Sequence, residues 1–165
     1  MAFSDYYAWA GTALLSLELF HFGMQRKLYD QRTRLFILLI CTSLLICISS
    51  IGLTRRILVG CVAEPLAQGM AAVTYFAQLA MPYLLFRMNF QFARKSSHFC
   101  IRVATALFAG SSLAALSNPW TGIISYPGQD GLLHVGKGYS FFVWGLIAFY
   151  LADVGSLVLL QGSVK

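Results

Sequence analysis

The stretch LFILLICTSLLICISSIGL, residues 35–53, runs 19 residues without a charge and decides what kind of chain this is. As a helix it extends about 28 Å, close to the roughly 30 Å hydrocarbon core of a bilayer. Arg32 and Arg34 stand before it, Arg55 and Arg56 after it. Similar apolar runs recur on both sides. With 58% apolar and 11% charged residues, the 165-residue chain lies far from soluble composition. Six acidic side chains cannot solvate such a surface. A cytosolic enzyme and a disordered regulator are both excluded. The net charge of +6 does not point to nucleic acid, because the basic residues punctuate the apolar runs instead of clustering on a polar domain.

Working outward, the apolar runs predict five transmembrane helices at about 6–24, 35–53, 66–92, 101–117 and 141–161, in one membrane-embedded domain covering 1–165. The first opens on Tyr6, Tyr7 and Trp9, rings suited to the headgroup level. Nothing ahead of it resembles the basic start of a removable signal peptide. Pro82 is expected to bend the third, since it lacks a backbone donor. Asn118 and Pro119 are expected to stop the fourth. Between the fourth and fifth helices, Ile123 to Tyr126 and Leu132 to Val135 bracket the turn Pro127-Gly128-Gln129-Asp130-Gly131, which reads as a small β-hairpin. The fold class is therefore an all-α integral membrane bundle with one extracytoplasmic hairpin.

Loop charges set the expected orientation. Arg26, Lys27, Arg32, Arg34, Arg94, Lys95 and Arg102 fall after the first and third helices, against Arg55, Arg56 and Lys137 on the alternate side. By the positive-inside rule the amino terminus is outside and the carboxy terminus inside. Arg55 and Arg56 run against the trend, and either snorkel or pair with Glu64.

Four ionisable residues fall within predicted spans: Glu18 and His21 in the first, Arg87 in the third and Asp153 in the fifth. Counted from the cytoplasmic ends, Glu18, Arg87 and Asp153 lie roughly 9, 8 and 12 Å deep. An arginine between two carboxylates would offset much of their desolvation, so a buried cluster of Glu18, Arg87 and Asp153 is expected, with His21 one turn from Glu18. It reads either as a polar switch or proton-sensitive element, or as a static ion network that sets helix register, unless Arg87 simply snorkels to the inner headgroups. Small residues spaced by four, Ala106, Gly110 and Ala114, and Ala148, Ala152 and Ser156, are expected to pack helices closely, within the bundle or as a homodimer seam.

Cys41, Cys47, Cys61 and Cys100 lack metal-ligand spacing and read as packing thiols. His21, His98 and His134 are assigned to different levels, so no metal site and no cofactor is expected. Without a nucleotide loop or a GxSxG elbow, the chain is not expected to be an enzyme. The outer loop offers Asn118, Trp120, Tyr126, His134 and Tyr139 as a ligand-facing lid. The competing reading makes these aromatics interfacial anchors and the hairpin a plug.

Several short motifs carry a resemblance. Asn118-Pro119-Trp120, Ile124-Ser125-Tyr126, Asp130-Gly131 and Gly136-Lys137-Gly138-Tyr139-Ser140 run into Phe141-Phe142-Val143-Trp144. Together with Tyr7-Ala8-Trp9-Ala10-Gly11-Thr12 and Arg32-Thr33-Arg34-Leu35-Phe36, they resemble the five-helix amino-terminal input region of bacterial membrane-bound diguanylate cyclases (GGDEF proteins). That region is related to the seven-helix input region of histidine kinases. The resemblance implies a sensory module in the bacterial cytoplasmic (inner) membrane, passing a small extracytoplasmic or membrane ligand's signal through its last helix to a cytoplasmic output domain, in cis or in trans. No GGDEF or kinase sequence lies within the 165 residues, so that chemistry is not assigned to them. The alternatives are a small membrane-transport subunit or a partner-binding membrane protein.

Overall fold

The computed structural model describes residues 3–24, 31–59, 64–92, 98–128 and 133–161, with side chains described over 7–21, 33–51, 65–91, 98–128 and 133–158. Helices α1 (Phe3–Met24), α2 (Gln31–Val59), α3 (Glu64–Phe92), α4 (His98–Leu116), α5 (Asn118–Thr121) and α6 (Tyr139–Gln161) are joined by β1 (Ser125–Pro127) and β2 (Leu133–Val135). Each long helix overruns its predicted apolar run at one or both ends. The run marks the stretch suited to hydrocarbon, whereas backbone hydrogen bonding carries the helix into flanking polar sequence.

Four helices contain segments long and apolar enough to cross a bilayer: 33–51, 65–91, 98–116 and 139–158. The chain thus has the make-up of a multi-pass membrane protein. The proposed pairing of Arg55 or Arg56 with Glu64, the packing of Cys61, and the tip of the hairpin lie outside the described residues.

Helix α3 is the centre of the arrangement. It packs against α2, α4 and α6, while α1 packs against α2. Its buried surface is rich in alanine: Ala67, Ala71, Ala72, Ala77 and Ala80 are all nearly inaccessible. Small side chains let neighbouring backbones approach, and close van der Waals packing is what holds helices together where lipid is as apolar as leucine. The helix runs through Pro82, which is itself fully buried.

Three hydroxyl groups on α2 and α3 are satisfied locally. Thr42, Ser43 and Thr74 each donate to the carbonyl four residues back, at 2.7, 2.9 and 2.8 Å. Thus α2 and α3 keep polar side chains in an apolar setting at little cost. Between α3 and α4, the rings of Tyr83 and Phe108 stack with centroids 4.4 Å apart, and Tyr83 Oη shares a 2.9 Å hydrogen bond with Thr105 Oγ1.

Most of the small-residue stripes do not pack within the bundle. Ala106, Gly110 and Ala114 are exposed, because α4 turns Phe108, Ser112 and Ala115 toward the core instead. On α6, Ala148 and Ala152 are also exposed and only Ser156 is buried. Spacing by four identifies a face, but the larger aromatic contacts decide which face turns inward.

Candidate functional site

The loop between α4 and α6 is built on one side chain. Ser117 interrupts the helix for one residue, and α5 then turns through Asn118 and Pro119 to Gly122, whose left-handed φ of 59° closes it. Asn118 is 2% exposed. Its Oδ1 accepts from the backbone N–H groups of Ile124 and Ser125 at 2.7 and 3.0 Å, while Nδ2 donates to Ser125 O and Oγ, both at 3.1 Å. Both amide hydrogens and the amide oxygen are therefore committed to the loop. Asn118 is a structural staple with nothing left to offer a ligand.

The hairpin is antiparallel, with Tyr126 opposite His134 and Ser125 opposite Val135. Alternation along β1 turns Ser125 inward and Tyr126 outward. Ile124, beside that strand, joins Leu79 and Ala115 in a core cluster that Phe142 and Leu146 flank. The hairpin therefore covers the adjoining ends of α4 and α6 and rests against the middle of α3.

Its descent into α6 is tight. Gly136 N–H donates to Ile124 O and Gly138 N–H to Ile123 O, each at 2.8 Å. A Cβ on Gly136 would collide with the carbonyl oxygens of Gly122 and Ile123, and one on Gly138 with the Ile123 side chain. Glycine serves close approach at both positions.

Of the five residues expected to face a ligand, the structure brings two together. The rings of Tyr126 and His134 stack with centroids 5.8 Å apart. Trp120 is 85% exposed on α5, and Tyr139 leans toward Phe142 at the start of α6. Beneath the lid lies a cavity of about 240 Å³, lined by Leu79, Ile123, Ile124, Phe141 and Phe142 among others, and by none of those five. A second, apolar groove of about 420 Å³ runs between α4 and α6 over Phe86, with Val103, Leu107 and Ala148 in its walls.

Toward the other end, Asp153 on α6 is 8% exposed. Its Oδ1 accepts from Asn89 Nδ2 at 2.7 Å, and the same amide lies 3.1 Å from Ser156 Oγ. Ser156 in turn donates to the carbonyl of Asp153 at 2.7 Å. The partner of Asp153 is thus Asn89, not Arg87, and among the described residues no ion pair joins Arg87 to Asp153 or Glu18.

Two geometric facts explain the difference. Residues 87 and 89 are about 160° apart around the axis of α3, so the face that meets Asp153 turns Arg87 away. Glu18 and His21 are exposed on α1, a helix that packs on α2, whereas Asp153 belongs to a helix that packs on α3. Counting residues along the helices addressed depth alone, and azimuth separates these groups. Asn89 went unnoticed because attention to charge passes over an uncharged amide, although an amide inside an apolar run is itself a signal of interhelical hydrogen bonding.

Comparison with protein-family models, with curated proteins and with solved structures returned no match.

Proposed function

We propose that the chain is a signal-input module of a bacterial cytoplasmic membrane, crossing it five times with the amino terminus outside, and that α6 carries the signal to a cytoplasmic output such as a diguanylate cyclase. The fifth crossing is α1, whose exposed Leu14, Leu17 and Phe20 suit contact with lipid. The resemblance of the outer loop and last helix to GGDEF-protein input regions supplies the class of output.

One observation carries this reading: the outer hairpin is hydrogen-bonded directly into the first turn of α6. Gly136 and Gly138 are clamped to Ile124 and Ile123, and Phe142 N–H donates to Gly138 O at 3.0 Å. A displacement of the lid therefore reaches α6 without a slack joint between them. A ligand moves such an equilibrium only by its differential affinity for the two positions. The exposed face of the lid, with Trp120, Tyr126, His134 and Tyr139, is the surface on which that difference would arise.

The transport alternative calls for a polar pocket near mid-membrane. The cavity beneath the lid and the groove between α4 and α6 have predominantly apolar linings, unlike such a pocket.

The test fuses the chain ahead of a diguanylate cyclase reporter and substitutes Trp120, Tyr126 and His134 singly by alanine. Altered cyclic-dinucleotide output at normal expression is expected from at least one substitution. Output unchanged in all three, and unchanged by deletion of residues 123–138, would remove the lid from any signalling role.

A further inference from the structure

A carboxylate within a membrane-crossing helix is costly unless its charge is balanced. Asp153 is buried in α6, and both of its side-chain partners in the structure are neutral or absent: Asn89 donates to Oδ1, while Ser156 donates to its backbone carbonyl. Hydrogen bonds from neutral groups ease desolvation but leave the full negative charge in place.

Among the described residues, no cation is paired with Asp153. On α3, Arg87 faces away from Asn89, while Tyr75 packs edge-on against Phe142 and Tyr83 bonds to Thr105. Along the described part of α6 the other titratable side chains are Tyr139 and Tyr150, and neither is a cation. Among the described residues, Glu18 on α1 and His98 and Arg102 on α4 form no ion pair with Asp153.

The cluster has a second arrangement available. Amide nitrogen and oxygen occupy equivalent positions, and half a turn about the last bond of Asn89 exchanges them. With the nitrogen inward, the amide donates to the carboxyl group, as in the structure. With the oxygen inward, Asp153 Oδ1, Asn89 Oδ1 and Ser156 Oγ become three convergent oxygen donors, the hard ligand set that suits an alkali or alkaline-earth ion and not a transition metal. One carboxylate and two neutral oxygens are neutralised by a single positive charge.

We propose that Asp153, Asn89 and Ser156 form an exchangeable site for one monovalent cation, a proton or an alkali ion, held between α3 and α6. The site stands on the packing of these two helices and not on the signalling role, so it can be tested by binding alone.

The experiment treats the full chain in detergent micelles with dicyclohexylcarbodiimide and follows modification of Asp153 by peptide mass spectrometry, with exposed Glu18 as the internal reference. The reagent takes the carboxylic proton onto a nitrogen and the carboxyl oxygen onto its central carbon, so it reports the protonated acid without another reactant. Modification of Asp153 relative to Glu18 is expected to change about tenfold or more between roughly pH 5 and 9. Sodium chloride replacing choline chloride at constant ionic strength suppresses modification if an alkali ion occupies the site, and leaves it unchanged if the proton is the occupant.

In parallel, the thermal unfolding midpoint of the unmodified chain is expected to depend on pH or on sodium, with Asp153→Asn losing that dependence and Arg87→Leu retaining it. Ser156→Ala, which keeps the carboxylate, is expected to weaken any sodium protection about tenfold. The proposal is overturned if the unfolding midpoints of the unmodified chain and of Asp153→Asn respond identically to pH and sodium. It is equally overturned if Asp153 modification is indifferent to both.

Discussion

Replacing Asn118 by alanine removes the side chain on which the loop between α4 and α6 is assembled. In the structure its amide satisfies two buried backbone donors, Ile124 N–H and Ser125 N–H, together with Ser125 O and Oγ. Asn118 and Ile124 are 2% and 3% exposed, so water cannot substitute without opening the loop. A buried donor left without a partner costs about 1–3 kcal/mol, and two such donors place the local penalty at about 2–6 kcal/mol. Because the hairpin can open without the helices separating, the penalty appears as local opening.

At 1.4 kcal/mol per decade, the midpoint of that range corresponds to roughly 10³-fold faster amide exchange at Ile124 and Ser125. Hydrogen exchange with fragmentation that resolves residues 118–128 measures this directly. Asn118→Asp, which keeps both acceptor contacts and loses the two donors, is expected to fall between alanine and the native residue. Protection at Ile124 and Ser125 unchanged in Asn118→Ala would refute the assignment of Asn118 as the staple.

Gly136→Val drives a side chain into the carbonyls of Gly122 and Ile123, and is expected to detach the hairpin, seen as new protease cleavage within 123–138 while the helices remain intact. Tyr83→Phe and Thr105→Val, combined in a double-mutant cycle, should couple by about 0.6 kcal/mol and by no more than about 1.7 kcal/mol, as interhelical hydrogen bonds in membranes do. Arg87→Leu should change unfolding free energy by less than about 0.5 kcal/mol. Asn89→Leu, which strips Asp153 of its donor, should cost about 1–3 kcal/mol, and an equal cost for the two would contradict the observed pairing.

Much of this arrangement can be read from the amino acids, for identifiable reasons. Uninterrupted apolar runs such as 35–53 specify helices because lipid leaves the backbone no other partner. The hairpin announces itself through the polar, glycine-bearing turn between two short apolar stretches.

What could not be read is rotational. Residue counting assigns Glu18, Arg87 and Asp153 similar depths, but the packing of α1 on α2 and the turn between Arg87 and Asn89 keep them apart. The stripe Ala106, Gly110 and Ala114 has the spacing of a packing face, yet the stacking of Phe108 on Tyr83 turns it outward. Asn118 was legible as a lid residue but not as the lid's anchor, since its partners are backbone groups that carry no sequence signature. Gly136 and Gly138 similarly suggest conformational freedom until the adjacent chain of Ile123 is in place.

The central claim, five crossings with the lid outside, is tested most directly by single-cysteine labelling in intact cells. Cys41, Cys47, Cys61 and Cys100 are first replaced by serine or alanine, and one cysteine is then introduced at Asp5, Ser96, Lys137 or Lys165. The account predicts that a membrane-impermeant maleimide reaches positions 5 and 137 from outside, and positions 96 and 165 only after the cells are opened. Labelling of position 5 on the same side as position 96 would remove α1 as a crossing, and labelling of position 137 only in opened cells would place the lid in the cytoplasm and contradict the account.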